Sequence, residues 1–490
     1  MRRTLALVTL MVVVGALGAV AAPSRAPAAS TAVKHLHFKY GPLHLNPGQN
    51  TIEISNRDIP KPTVPGWITG IAPNMTLTDG TIPPVDHLHL HHAVWLNLSR
   101  NDLSSPGLPQ RFFASGEEKT KLTFPPGYGY RYDPSDVWRL NYMLHVLDDK
   151  AYNVYVTYDI DFIPASSPAA SSITEAQPIW MDVQNGSIYP VFNVAAGSGT
   201  NGAFTYPTDA TDPYHGGAPK NEYTLPFDGE LIQTAGHLHP GGLHTDLDLT
   251  RGNKTAHLYE SKAHYFEPAG PVSWDVAMTA TSPKWNVHVK TGDTLSVTAT
   301  YDTTRKWSWY EVMGIMIAWV VPNGGGASAF KTGVDIPGKI THGHLPENDN
   351  HGGAADPNLS DPSKLPNGPK VKTINIGSFD YVPGDLDHAT SVPTVKAGNS
   401  ITFVNRDAPA SGYGIWHTIT TCKLPCNLST GIAYPVANAA VQLDSGQLGN
   451  DGLPTSGTLQ WTTPSDLAPG TYVFFCRVHP FMRGAFRVVP

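Results

Sequence analysis

Short runs of alternating apolar and polar residues recur along the whole chain. Tyr152-Asn153-Val154-Tyr155-Val156-Thr157-Tyr158-Asp159-Ile160 puts Val154, Val156, Tyr158 and Ile160 on one side of an extended segment. The same period of two runs through Thr294–Tyr301 and Ser400–Val404. β-branched and aromatic residues fill these runs and turn residues close them, so the pattern predicts half-buried strands rather than amphipathic helices. Two stretches lack the pattern. Pro164–Ser172 is a string of Pro, Ala and Ser, and 323–370 opens Asn323-Gly324-Gly325-Gly326 and stays rich in Asp, Asn, Pro and Gly. Such segments bury little apolar surface and read as linkers. They divide the chain into blocks 33–163, 176–322 and 371–490. The expected fold class is all-β, with each block an antiparallel sandwich or barrel.

Composition narrows the function. Gly 46 and Pro 44 in 490 residues fit many short strands joined by turns. An aromatic content of 10% is too high for a disordered chain. The net charge of -7, without a basic run, argues against a nucleic-acid partner. At the N-terminus, Met1-Arg2-Arg3 precedes an apolar run from Leu5 to Ala22 that contains Ala19-Val20-Ala21. A basic start, an apolar middle and a small-residue exit predict a signal peptide over 1–21. The mature protein is then expected to be secreted, extracellular or periplasmic, with no membrane contact after cleavage.

The chemistry lies in 21 histidines against 3 cysteines, all three cysteines falling in the last block. There a strand pattern ends in Cys476-Arg477-Val478-His479-Pro480-Phe481-Met482, and His417 stands upstream in Ile415-Trp416-His417. One thiolate, two imidazoles and a thioether are the donor set of a type 1 (blue) copper site. The spacing C-x-x-H-x-x-M lets one tight loop supply three of the four. Cys422 and Cys426 are close enough in sequence to form a small disulfide loop. Block one carries Asp86-His87-Leu88-His89-Leu90-His91-His92, followed by His145. Block two carries His237-Leu238-His239, followed by Met313 and Met316. Alternate residues of a strand share a face, so each pair can chelate a metal. Imidazole alone does not select the metal, whereas a Met partner favours copper.

Block three resembles the cupredoxins, its loop being most similar to that of amicyanin-type proteins. Blocks one and two resemble the ascorbate-dependent type II copper monooxygenases, the peptidylglycine α-hydroxylating and dopamine β-monooxygenase family. That resemblance implies two jelly-roll-like sandwiches, each binding one mononuclear type 2 copper across a solvent cleft. Carried over residue by residue, His91, His92 and His145 would hold an electron-transfer copper. His237, His239 and Met313 would hold the catalytic one. His87 or His89 could replace His91 on the same strand face, His244 could join the second site, and Met316 competes with Met313. His35, His37, His44, His342, His344 and His351 read as surface or linker residues. Two departures matter. The first two blocks lack the family's cysteines, and Thr234-Ala235-Gly236 replaces the Arg that anchors a peptide carboxylate. The His-Cys-His pattern of copper nitrite reductases and multicopper oxidases is also absent, because Arg477 follows Cys476.

These residues lead to an expected function. The protein would be an exported copper monooxygenase that hydroxylates a C–H bond of a small-molecule or peptide substrate with dioxygen. Electrons would come from an external donor such as ascorbate or a redox protein, relayed by the third block. The alternative is a secreted copper-binding or electron-transfer protein without catalysis. The reaction requires no carboxylate general base, and none stands out in the motifs.

Overall fold

A computed structural model describes residues 33–490 except 86, 188–189, 267–269, 271–274, 306–307, 332, 346–358, 388, 409–414, 425, 427–441, 450, 453–454, 457 and 480. The expected signal peptide and His351 lie outside the described residues. The described elements are β-strands together with one short 3-10 helix, Pro168–Ser172, in the expected first linker.

The first unit stacks a six-stranded sheet on a four-stranded one. The four-stranded sheet runs in the order Ile52–Ile54, Trp138–Val146, Leu88–Asn101, Pro109–Gly116. Its strand Trp138–Val146 alternates strictly. Trp138, Leu140, Tyr142, Leu144 and Val146 enter the unit's core, and the intervening Asn141 and His145 lie on the opposite face. The neighbouring strand Leu88–Asn101 breaks that rule once. Leu88, Leu90, Ala93 and Trp95 are core residues, and the register slips between Leu90 and His92. A bulge of this kind adds one residue to a single side. His91 and His92, although consecutive, therefore both leave the core face.

In the second unit one extended hydrogen-bonded sheet of thirteen strands wraps around its own core. At its centre Gly229–Leu238 pairs with Trp309–Pro322. The latter strand serves two cores. Val312, Met316, Ala318 and Val320 pack inside the second unit. Trp319 and Val321, with Ile232 from the partner strand, belong instead to the core of the first unit, where the Trp319 ring lies 4.6 Å from Phe124. Gln233 Nε2 donates to Thr123 O across the same junction at 2.9 Å. The two sandwiches thus share a packed layer of side chains at this junction.

The third unit has a five-stranded and a four-stranded sheet around Phe403, Phe474 and Phe486. The expected linker 323–370 is partly ordered structure. Ala327–Ser328 and Lys339–Ile340 add to the second unit's sheet, and Asn367–Lys370 opens the third unit's five-stranded sheet. Cys422 and Cys426 form a disulfide, and Cys476 is free and buried.

Candidate metal centre

The third-unit site is built on the end of strand Gly470–Phe475 and the turn that follows. Cys476 Sγ lies 3.8 Å from His417 Nδ1 and 3.8 Å from His479 Nδ1, and the two Nδ1 atoms are 3.1 Å apart. Donors roughly 2.0–2.3 Å from one common centre have about these separations. Burial raises the Cys476 thiol, but hydrogen bonding to both histidines outweighs it and the pKa falls well below the ordinary value. The backbone N–H groups of Thr418 and His479 also point at the sulfur, each at 3.4 Å. Met482 is buried in the same core cluster, and its N–H donates to His479 O at 2.9 Å. Each imidazole is held from behind. His417 Nε2 meets the Asp407 carboxylate at 2.9 Å, and His479 Nε2 meets Gly48 O of the first unit at 3.4 Å. Those contacts leave both Nδ1 atoms facing inward, the orientation a metal ligand requires. Gly48 has to be glycine here, since a Cβ would lie 2.0 Å from the Phe379 ring.

The second cluster lies where the first two units meet. His89 and His145 are directly opposite each other in the sheet, with ring centroids 5.2 Å apart. His91 stands 6.0 Å from each of them. Across the junction His239 is 4.7 Å from His91 and 5.4 Å from His237. The structure therefore gathers His91, His145, His237 and His239 into one buried group and adds His89. His92, 5.8 Å from His91, instead lines an apolar cavity together with His237 and Met313. Met313 and Met316 lie on opposite faces of their strand, so Met316 is a core residue and Met313 faces the cavity. His87 is half-exposed and pairs with Asp148 at 3.0 Å, and His244 pairs with Asp246 at 2.8 Å.

Two carboxylates that the sequence motifs did not single out complete the cluster. Glu117 and Glu118 are buried at the turn after Pro109–Gly116. The Glu117 carboxylate contacts His91 Nδ1, and Glu118 Oε2 lies 2.9 Å from His237 Nδ1. Glu118 also accepts the Gly116 N–H at 3.0 and 3.1 Å. A Cβ on Gly116 would sit 2.8 Å from His237 Cε1, so glycine permits the ring to approach. Burial drives Glu117 well above the carboxylate range and holds His89, His91 and His92 down at about 3. Burial likewise opposes charge on His237, but the Glu118 carboxylate outweighs it and raises that pKa. His145 and His239, buried among other imidazoles, fall well below the ordinary value.

The donor set fits a metal. Nε2 of His145, His237 and His239 is buried with no hydrogen-bond partner, a costly arrangement unless a ligand completes it. The Glu118 carboxylate behind His237 fixes the tautomer that leaves its Nε2 available. The signal for them was present in Ser115-Gly116-Glu117-Glu118, but nothing in the sequence placed that turn beside His237. The two sites also adjoin each other. The His479 ring lies 6.3 Å from that of His145. Arg477, in the position next to Cys476, reaches the second unit by donating to Ser308 O at 3.1 Å, and within its own unit it donates to Asp444 Oδ2 at 3.3 Å. Of the histidines expected at the surface, His35 and His37 pair with Asp161 and Asp159 on an exposed edge, and His44 contacts Asn153. His342 and His344, in the expected linker, contact Glu118 O and Asp275, and His344 stays exposed.

No protein-family model matches the chain. Over 282 residues it is 25% identical to "Probable copper-dependent oxygenase M1" of Phoma sp., a match covering 54% of this chain and 66% of that protein. The chain thus spans just under two thirds of the curated relative's length. Among solved structures, a reduced amicyanin mutant matches with 19% identity and a TM-score of 0.15, covering 27% of this chain and 91% of that one. A copper-containing nitrite reductase from Thermus scotoductus SA-01 matches with 14% identity and a TM-score of 0.16, covering 53% and 55%.

Proposed function

We propose that this chain is an exported copper-dependent monooxygenase that converts a substrate C–H bond to an alcohol. Dioxygen, two electrons and two protons enter, and one oxygen atom leaves as water. The observation that carries the reading is the convergence of His91, His237 and His239 from two sandwiches beside an apolar cavity that Met313 also lines. The distant likeness to a protein named as a copper-dependent oxygenase supports it. Copper held there would supply one-electron exchange and the activation of dioxygen. His89, His91 and His145 form the triad on the first unit's side. His237, His239 and Met313, with His92 beside them, form the face next to the substrate. Glu118 orients His237, and Glu117 holds a proton at His91 Nδ1. The packed junction keeps bulk water away.

The third unit has the donor set for a type 1 copper in His417, Cys476, His479 and Met482. Its His479 edge, adjacent to His145, offers a short route for electrons from an external donor such as ascorbate or a redox protein. The basic start and apolar run of the N-terminal segment support export. The test combines metal analysis, electron paramagnetic resonance and oxygen uptake on purified full-length protein. Copper in both clusters with substrate-coupled oxygen uptake is the expected result. Zinc in the histidine cluster would overturn the reading. Copper without coupled uptake would favour an electron-transfer or copper-binding protein.

A further inference from the structure

The cavity beside His92, His237 and Met313 has a volume of about 250 Å³. Its walls are mostly apolar: Val94, Leu96, Ala114, Trp180, Pro190 and Ile315. Ile54, 59% exposed, stands at the rim. An apolar cavity of about 150 Å³ accepts benzene, so this one has room for a fused two-ring molecule. Two polar groups in the wall are unsatisfied. Arg111 is 7% exposed, and its Nη2 has no hydrogen-bond partner. Ser115 is 2% exposed, and its Oγ has none either.

The remaining edge of Arg111 is fully engaged. Its Nε donates to Asp102 at 2.8 Å, Nη1 lies 3.6 Å from Asp182, and the guanidinium sits 4.6 Å over the Trp180 ring. Two aspartates already balance the cation. A ligand carboxylate would have to be desolvated next to them, whereas a neutral oxygen needs only the spare N–H. An unmet buried donor discriminates strongly in favour of a ligand that satisfies it.

We infer that this cavity binds a neutral, largely apolar ring compound bearing one hydroxyl or carbonyl oxygen, which accepts from Arg111 Nη2 with its apolar body against Trp180 and Ile315. The inference rests on the proposed function for its meaning as a substrate site, but the binding itself is separable from turnover.

The test is isothermal titration calorimetry of copper-loaded full-length protein without reductant, using naphthalene, 1-naphthol and 1-naphthoate. A hydrogen bond to a charged group predicts that 1-naphthol binds about tenfold more tightly than naphthalene. It should bind about tenfold or more above 1-naphthoate as well. Arg111→Lys should abolish the advantage of naphthol and leave naphthalene unchanged. Val94→Phe, which fills the cavity without touching the Arg111 pairs, should abolish binding of all three while the copper resonance signals persist. Equal affinities for naphthol and naphthalene would overturn the inference. So would tightest binding of naphthoate, or binding that survives Val94→Phe. Any of these with normal copper signals and coupled oxygen uptake would leave the monooxygenase reading standing. Loss of the copper signals in the unmodified protein would instead count against that reading.

Discussion

Glu118→Gln isolates the action of a carboxylate that should never touch the substrate. The native side chain is buried and accepts from Gly116 N–H and from His237 Nδ1 at 2.9 Å. A glutamine keeps the shape but has one acceptor and one donor where the carboxylate had two acceptors. If its oxygen stays on Gly116, its NH₂ faces His237 Nδ1. The imidazole is then driven to the tautomer with its proton on Nε2, which blocks the atom left without a partner inside the cluster. A hydrogen bond to a charged group is worth about 1.5–3 kcal/mol. At 1.4 kcal/mol per tenfold, copper affinity at the histidine cluster should drop about 10- to 100-fold, the usual range for such outer partners. Copper would be titrated against a competing chelator at pH 7. The type 2 resonance signal reports the histidine cluster, and the visible absorption of the Cys476 site serves as internal control. An affinity unchanged within about twofold would refute the tautomer argument. Parallel loss of the Cys476 absorption would refute its being local.

Other expectations follow from the same geometry. Trp319→Ala should cost about 3–5 kcal/mol, and urea unfolding of the native protein should take the first two units apart in one transition. Two separate transitions would contradict a shared core. Burial raises the Asp182 carboxyl to about 6, with Arg111 and the Trp180 N–H opposing it. The folded state then holds the proton more tightly than the unfolded chain, so stability is full below about pH 4 and falls as pH rises through 6. The loss amounts to roughly 3 kcal/mol. Asp182→Asn should gain on the native protein between pH 4.5 and 7 in paired denaturant melts, and a gap independent of pH would count against this. Met316→Leu should cost less than about 1.5 kcal/mol and leave copper retention intact, whereas Met313→Leu should weaken retention of reduced copper at similar stability. Cys476→Ser should slow reduction of copper at the histidine cluster by an external donor, and equal rates would remove the relay role.

The strand period and the spacing of the Cys476–Met482 loop were legible because each depends on residues close in sequence. The choice between Met313 and Met316 depended on parity, and parity needed the partner strand's register. His89 was undervalued for the opposite reason. Strict alternation cannot accommodate both His91 and His92 on one face, and the bulge after Leu90 that allows it leaves no mark in composition. Glu117 and Glu118 were invisible as site residues because their partners lie in different parts of the chain, one of them more than a hundred residues away. The family likeness suggested a wet gap between the two sandwiches. Nothing in the sequence around Trp319, Ile232 and Val321 says whose core they fill.

That loan of three side chains bears on how such a protein can be recombined. A gene cut at the Pro164–Ser172 connector would give one product missing part of its interior and another displaying Trp319 to water. The two sandwiches would therefore have to be exchanged together. The third unit carries its own interior and docks through polar contacts such as Arg477 with Ser308. It is the part that could be exchanged without opening the shared core.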